Sequence, residues 1–357
     1  MTNPVTFAVV GGGWRAEFYL RIAQALPERF RVGAVLVRDT AKGAVLAKRF
    51  AVPVVQTLPA LAATHPAFVA TSVGWGANPE LLRELAALNL PTLSETPPAP
   101  DLPSLLALWS DLKNAPLQIA EQYPFQPLHA ARLSVAAGGK IGAIRHAQVS
   151  AAHGYHGMAL LRAYLQIGLE DATIRAVKVP ETVAVSPGRN GDPTADGTES
   201  HNQLIAWLAF SGGAFGVFDF SGSQYFSWVR GNRVLVRGER GEIENDILRY
   251  LADVQTPIET RFMRRDTGQN GNLEGAYHAG ITAGDTWAYR NPFVPARLSD
   301  DEIALATCLR RMAEYAGGGD GFYGIAEGCH DHYLGICADR AAASGDAVRT
   351  ERQPWTQ

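Results

Sequence analysis

The stretch Val9-Val10-Gly11-Gly12-Gly13-Trp14-Arg15-Ala16 constrains the chain most, because it joins an apolar run, Val5 to Val10, to a helical pattern from Glu17 to Leu26. A strand that turns at once into a helix needs a first residue tolerant of unusual dihedrals, and Gly11 supplies it. Gly13 has no side chain, so the backbone there can approach a pyrophosphate that helix N-terminal N–H groups bind. Ala16, at the third position, is small enough for the helix to pack on the strand. A plain glycine turn is the alternative in a chain with 36 glycines, but strand before and helix after turn the pattern into a dinucleotide site. Trp14 and Arg15 follow the glycines and stand at the cofactor, Trp14 through its backbone rather than its indole.

A second strand, Arg31 to Val37, and a helix from Ala41 to Phe50 complete a βαβ unit. An NAD site usually ends this strand with a carboxylate for the adenosine ribose. Here Val37 takes that place and Arg38 follows, which predicts NADP over NAD through a guanidinium pairing with the 2′-phosphate; Asp39 could still reach a ribose. Further strands at Val52–Gln56, Phe68–Val73, Pro91–Ser94 and Leu117–Glu121 alternate with helices at Asn78–Leu88 and Leu102–Leu112. Gly74 and Trp75, after the fourth strand, and Glu95, after the fifth, sit where strand ends face a cofactor. Trp75 could equally fill the core. Glu95 opens a stiff proline loop, Glu95-Thr96-Pro97-Pro98, and its expected part is to organise that loop or to touch the nicotinamide ribose.

At 357 residues the chain exceeds the size of one hydrophobic core, and two domains follow. A net charge of −3 with scattered Lys and Arg gives no footprint for nucleic acid or an anionic membrane, and points to a small-molecule substrate. Cys308, Cys329 and Cys337 have no metal-ligand spacing and read as buried thiols of a reducing compartment. No signal-peptide pattern and no run of 18 apolar residues is present, so a cytoplasmic location is expected.

Past residue 121 the alternation of strand and helix stops. Ile144–Ser150, His201–Phe210, Gly213–Ser221 and Asn232–Arg237 read as strands, with a hairpin at Gly238–Glu244 and helical spacing from Leu161 to Ile167. Residues 264–291 are polar and glycine-rich and read as loop. Ser299 caps a helix from Glu302 to Tyr315, and a last helix runs from Ile325 to about Ala343.

The Gly11-Gly12-Gly13-Trp14-Arg15 turn, Glu95-Thr96-Pro97, the Gly138-Gly139-Lys140-Ile141-Gly142-Ala143-Ile144 segment and the strand-rich second half resemble the Gfo/Idh/MocA oxidoreductases, NAD(P)-dependent enzymes acting mostly on sugars and cyclitols. The resemblance spans nearly the whole chain. It implies an α/β protein: an N-terminal Rossmann domain with a doubly wound parallel sheet over residues 1–121, and a C-terminal α/β domain over 122–357 with a large, mainly antiparallel sheet. It also implies a homo-oligomer, dimer or tetramer.

In that family a Lys in a Glu-Lys-Pro loop, with an Asp and a His spaced DxxxH at a helix start, moves the hydroxyl proton. Here the Lys position is Thr96, whose hydroxyl can bond a substrate but is no base near neutrality. His156 falls on the family's His, and Ala152 replaces the Asp. His153, Tyr155 and His156 offer a different acid/base set, with His156 first; either histidine could instead only bond backbone at the helix start. Tyr123, after the last Rossmann strand, is a further candidate or a core aromatic with a wet hydroxyl. His330-Asp331-His332 lies on a helix, and one of its faces is expected to be solvated; without a third ligand it is no metal site. Replacement of the Lys and Asp leaves three functions open: an oxidoreductase on a sugar-like or polyhydroxylated molecule, a dinucleotide-binding sensor or regulator without catalysis, or a reductase in which water or the substrate supplies the proton.

Overall fold

The computed structural model describes residues 3–189, 191–268 and 275–356. The chain divides into two compact units, the first Met1–His129 with Arg264–Gly280 and Arg290–Cys329, the second Ala130–Met263 with Ile281–Tyr289 and His330–Gln357.

The first unit opens with the expected alternation: β1 Val5–Val10, α1 Trp14–Ala25, β2 Phe30–Leu36, α2 Thr40–Phe50, β3 Val54–Val55, α3 Leu58–Ala62, β4 Val69–Thr71, α4 Asn78–Ala87, β5 Thr92–Ser94, α5 Leu102–Leu112 and β6 Leu117–Ile119. The six strands form one sheet in the order β3-β2-β1-β4-β5-β6, every pair parallel. Parallel strands covered on both faces must be apolar throughout, and Phe7, Ala8, Val9 and Val10 of β1 are buried in succession. The rings of Phe7 and Phe68 stack at 5.3 Å beneath them. Strand order reverses between β1 and β4, the place where an open α/β sheet leaves a crevice at its carboxyl edge.

Then follow α6 Pro127–Ala137, β7 Ile144–Ser150, α7 Gly154–Leu165, β8 Ala172–Ala184, β9 Thr198–Phe210, β10 Phe215–Ser221, β11 Arg233–Gly238, β12 Gly241–Glu244, β13 Ile247–Leu251, β14 Pro257–Thr267, β15 Tyr277–Ala283, β16 Thr286–Arg290, α8 Asp300–Ala316, α9 Ile325–Ser344 and β17 Val348–Arg349. Eleven strands make the second sheet, in the order β16-β15-β14-β13-β12-β11-β7-β10-β9-β8-β17. Within it β17–β8, β8–β9, β9–β10, β7–β11, β11–β12, β12–β13 and β13–β14 pair antiparallel, and β10 runs parallel to β7. The doubly wound sheet and the large, mainly antiparallel sheet are thus both present.

Residues 264–291 are not a loop: they hold the end of β14 and all of β15 and β16, while 269–274 lie outside the described residues. The period was hidden because β14 loses its alternation after the buried Phe262, with Met263 to Asp266 all exposed, and its charges are spent on pairs, Arg264 with Asp300 at 2.8 Å and Asp266 with His278 at 2.8 Å. Strand β8 is a second addition; its residues 172–176 alternate buried and exposed, and it pairs with β9 from Ala172↔Phe210 to Ala184↔Thr198. The cap at Ser299 is a full capping box with Glu302. Helix α7 starts at Gly154, seven residues before the helical spacing became legible, so Tyr155 and His156 stand in its first turn.

Candidate active site

In the first unit, Gly11 has φ +118°, and a Cβ there would lie 2.1 Å from the Ser72 carbonyl oxygen. Glycine is forced at that position by the neighbouring chain end. At Gly12 a Cβ would press on Val37 and Leu46 side chains at 3.0 and 3.2 Å, so this residue sets how closely α2 and the end of β2 approach the turn. At Gly13 a Cβ would meet nothing within 4 Å. Gly13 is also the N-cap of α1 and brings no side chain to cap it. The chain itself gives no packing reason for a glycine here, whereas an anion laid against the helix start does. Ala16 is fully buried, as the fingerprint's third position requires.

A crevice of about 700 Å³ opens beside this turn, lined among others by Gly11, Gly12, Val37, Arg38, Thr57 and Val73. Arg38 is exposed on its wall. The Asp39 carboxylate accepts the Lys42 N–H at 3.0 Å and so serves as the N-cap of α2. Gly74 offers open space for a Cβ, and Trp75 and Trp14 are both half exposed, so neither indole fills the core. The Arg15 guanidinium lies 4.9 Å over the Trp14 ring.

Arg15 turns to the proline loop and pairs with Glu95 at 3.3 Å, while the buried Tyr19 hydroxyl donates to the same carboxylate. Burial pushes the Glu95 carboxyl above its ordinary range against the opposing pull of Arg15 and Tyr19. Tyr123 and Asp301 are near enough to add to the field on Arg15. Sequence reading named Arg15, Glu95 and Tyr123 separately; the structure groups them and adds Tyr19. The spacing of Arg15 and Tyr19, four apart on α1, was the available signal. Thr96 is buried behind Glu95 and precedes a cis peptide to Pro97. Asn78 holds this loop from below: it accepts from the Thr71 hydroxyl at 3.0 Å and donates to Ser94 Oγ at 2.9 Å and to the Pro98 carbonyl at 3.2 Å. Nothing in the sequence marked it beyond its place before Pro79.

The second unit gathers the other candidates. His153 is the N-cap of α7 and donates its backbone N–H to the Tyr225 hydroxyl at 3.0 Å. Its ring nitrogens face two phenols: Nδ1 meets the Tyr225 hydroxyl, and Nε2 lies 3.2 Å from the Tyr155 hydroxyl. The His156 ring lies against Tyr155 at 4.3 Å, tilted by 56°, and 5.2 Å from His153, and Tyr155 touches His332 at 5.6 Å. Burial first, then the positive fields of His156, Arg189 and His332, push the His153 imidazole down to about 3. His153 is therefore neutral at physiological pH, a hydrogen-bonding group rather than a cation. Ala152, on the family's Asp position, is fully buried. Tyr225 had no sequence signal, for it reaches His153 from a turn 72 residues away.

Of the triplet His330-Asp331-His332, His330 and Asp331 are buried and His332 is half-buried, so the expected solvated face is reduced to His332. Asp331 makes a two-pronged pair with the buried Arg162, its Oδ2 accepting at 2.9 Å. His330 sits at 3.2 Å from the Glu170 carbonyl, and His332 lies against Tyr155. The polarity of the triplet serves buried bonds, which composition cannot distinguish from exposure. Among the described residues, no three His, Cys, Asp or Glu side chains are grouped to hold a metal ion, and no helix is long and apolar enough to cross a membrane. Cys308, Cys329 and Cys337 are buried free thiols.

No protein-family model matches the chain, and no curated protein matches it in sequence. Solved structures do. An oxidoreductase from Agrobacterium radiobacter, in complex with NAD+, L-tartaric acid and magnesium, is similar at TM-score 0.68 and 18% identity, over 97% of this chain and 98% of that one. Levoglucosan dehydrogenase, in complex with NADH, is similar at TM-score 0.69 and 14% identity, over 98% and 100%. GenD2 from gentamicin A biosynthesis, in complex with NAD, is similar at TM-score 0.65 and 17% identity, over 99% and 98%. Over nearly its whole length the chain has the fold of these NAD-bound oxidoreductases, which is the fold its resemblance to the Gfo/Idh/MocA enzymes implied.

Proposed function

We propose that the protein is an NAD(P)-dependent oxidoreductase that transfers hydride to or from a hydroxyl-bearing carbon of a sugar-like or polyhydroxylated small molecule. The observation that carries this is the glycine turn: Gly11 is fixed by its neighbours, whereas Gly13 is left open over an uncapped helix start. That arrangement suits a pyrophosphate, with the adenosine half in the crevice beside Arg38. A bound nicotinamide supplies the hydride donor or acceptor; the chain must hold it and move a proton. Glu95, fixed by Arg15 and Tyr19, orders the loop that carries Thr96. His156 moves the hydroxyl proton, and neutral His153 with Tyr155 supports it. The buried free thiols support a reducing, cytoplasmic setting.

Arg38 favours NADP. Its guanidinium stands on the crevice wall, and the neighbouring carboxylate, Asp39, is taken up in capping α2. A charge-assisted pair is worth about 1.5–3 kcal/mol, so Arg38→Ala should cost NADP roughly 10- to 100-fold in affinity and leave NAD unchanged in calorimetry. Tighter NAD binding by the parent protein would overturn the preference.

The test of the activity is a panel of aldopyranoses, anhydrosugars and cyclitols with both cofactors, followed at the nicotinamide absorbance. His156→Ala should lower turnover about 10²–10⁴-fold with cofactor affinity unchanged. A second reading, a dinucleotide-binding sensor, draws support from Thr96 and the buried Ala152 on the positions of the family's Lys and Asp. Tight cofactor binding without turnover on the panel would select it.

A further inference from the structure

Tyr155, His153 and Tyr225 form a continuous chain of hydrogen-bonding groups: hydroxyl, imidazole, hydroxyl. Its ends differ in access. Tyr155 is 7% exposed and lies against His156, whereas Tyr225 is 37% exposed. The middle member can take either tautomer, since each ring nitrogen faces a phenol able to donate or accept. The backbone N–H of His153 fixes the Tyr225 oxygen from a second direction, so the outer junction is held by two bonds.

We propose that this chain is a proton relay between the buried side of the first turn of α7, where His156 lies, and bulk water, resting on the oxidoreductase reading for the source of its proton. Oxidation of the substrate carbinol gives two electrons and a hydrogen nucleus to the nicotinamide as hydride and releases the hydroxyl proton. A proton reaching the Tyr155 oxygen displaces the Tyr155 hydroxyl proton to His153 Nε2. The Nδ1 proton then passes to the Tyr225 oxygen, and the Tyr225 hydroxyl proton leaves to water. One proton enters, one leaves, no residue gains charge, and the imidazole ends as the other tautomer, which exchange of its N–H protons with water restores. Reduction runs the same bonds in reverse. Because His153 sits among His156, His332 and Arg189, a charged imidazole there is disfavoured, and a route through two neutral tautomers avoids it.

The substitution that tests this is Tyr225→Phe, which keeps the ring packed on Phe220 at 5.0 Å and removes only the outer hydroxyl. In the cofactor-free protein, ¹⁵N spectra of His153 should show shifts averaged between its two neutral forms, and Tyr225→Phe should collapse them onto one. With the best substrate of the panel, Tyr225→Phe should slow kcat at least 10-fold with KM for substrate little changed, and added free imidazole should restore most of the rate. A single fixed tautomer in the parent protein, or a Tyr225→Phe enzyme with parental kcat, overturns the relay. A parent with no turnover on any panel member refutes the oxidoreductase reading instead, and the ¹⁵N result still decides whether the chain can pass a proton.

Discussion

Gly11 and Gly13 are two residues apart and answer to different demands, and substitution should separate them. Gly13→Val places its side chain where no atom of the chain stands, so thermal stability should hardly change while calorimetric binding of either cofactor is lost. Gly11→Ala sets a Cβ against the Ser72 carbonyl in a backbone conformation hostile to side chains, and should cost about 3 kcal/mol or more. If Gly13→Val bound dinucleotide as tightly as the parent, the turn would have some other purpose. The fingerprint was legible as a pattern, but which glycine serves folding and which serves a ligand was not. That distinction depends on Ser72, brought alongside only when β4 pairs with β1.

At the scale of elements, α7 begins on His153 and α9 carries His330, both pressed toward neutrality, His153 to about 3 and His330 to about 4, chiefly by burial. A histidine freed by unfolding takes up its proton near pH 6.5. Stability is therefore full above that pH and falls as pH drops, because only the unfolded state binds the proton, until the folded imidazole titrates in turn near 4 or 3. Each site adds at most about 1.4 kcal/mol per pH unit to the slope. Urea unfolding between pH 7 and pH 4 should show this decline, and His153→Gln or His330→Gln should flatten it; an unchanged slope in both variants would refute the neutral assignment. Sequence located the strands of the first sheet with α1, α2, α4 and α5, and β7, α8 and α9 after them, where the apolar period is strong. It missed α3, α6, β8 and β13 to β16. In β14 the polar residues are matched by ion pairs, which lie outside any periodic pattern. The helix start at His153 and His156 was legible, but the contact of His153 with Tyr225, 72 residues away, was not.

At the scale of the molecule, the large sheet leaves Val177 of β8, Trp207 of β9 and Phe215 of β10 exposed, and their pairings set them on one face, with Val217 directly opposite Trp207. Exposed aromatic and aliphatic side chains grouped on a sheet face are the usual mark of an interface. The oligomer expected from the family resemblance should bury this face against a second copy. Trp207→Glu should halve the mass found by light scattering while leaving the circular dichroism spectrum intact; a parent that is monomeric at micromolar concentration removes the claim.

The empty space over Gly13 carries one more consequence. Gly11 is locked by the Ser72 backbone and Gly12 is crowded by the Val37 and Leu46 side chains, so both answer to the fold itself. Gly13 is answerable only to whatever lies against it. A descendant relieved of its nucleotide would drift at position 13 first and keep the two residues before it, so the third glycine of the run dates the loss of the ligand while its neighbours record only the ancestry.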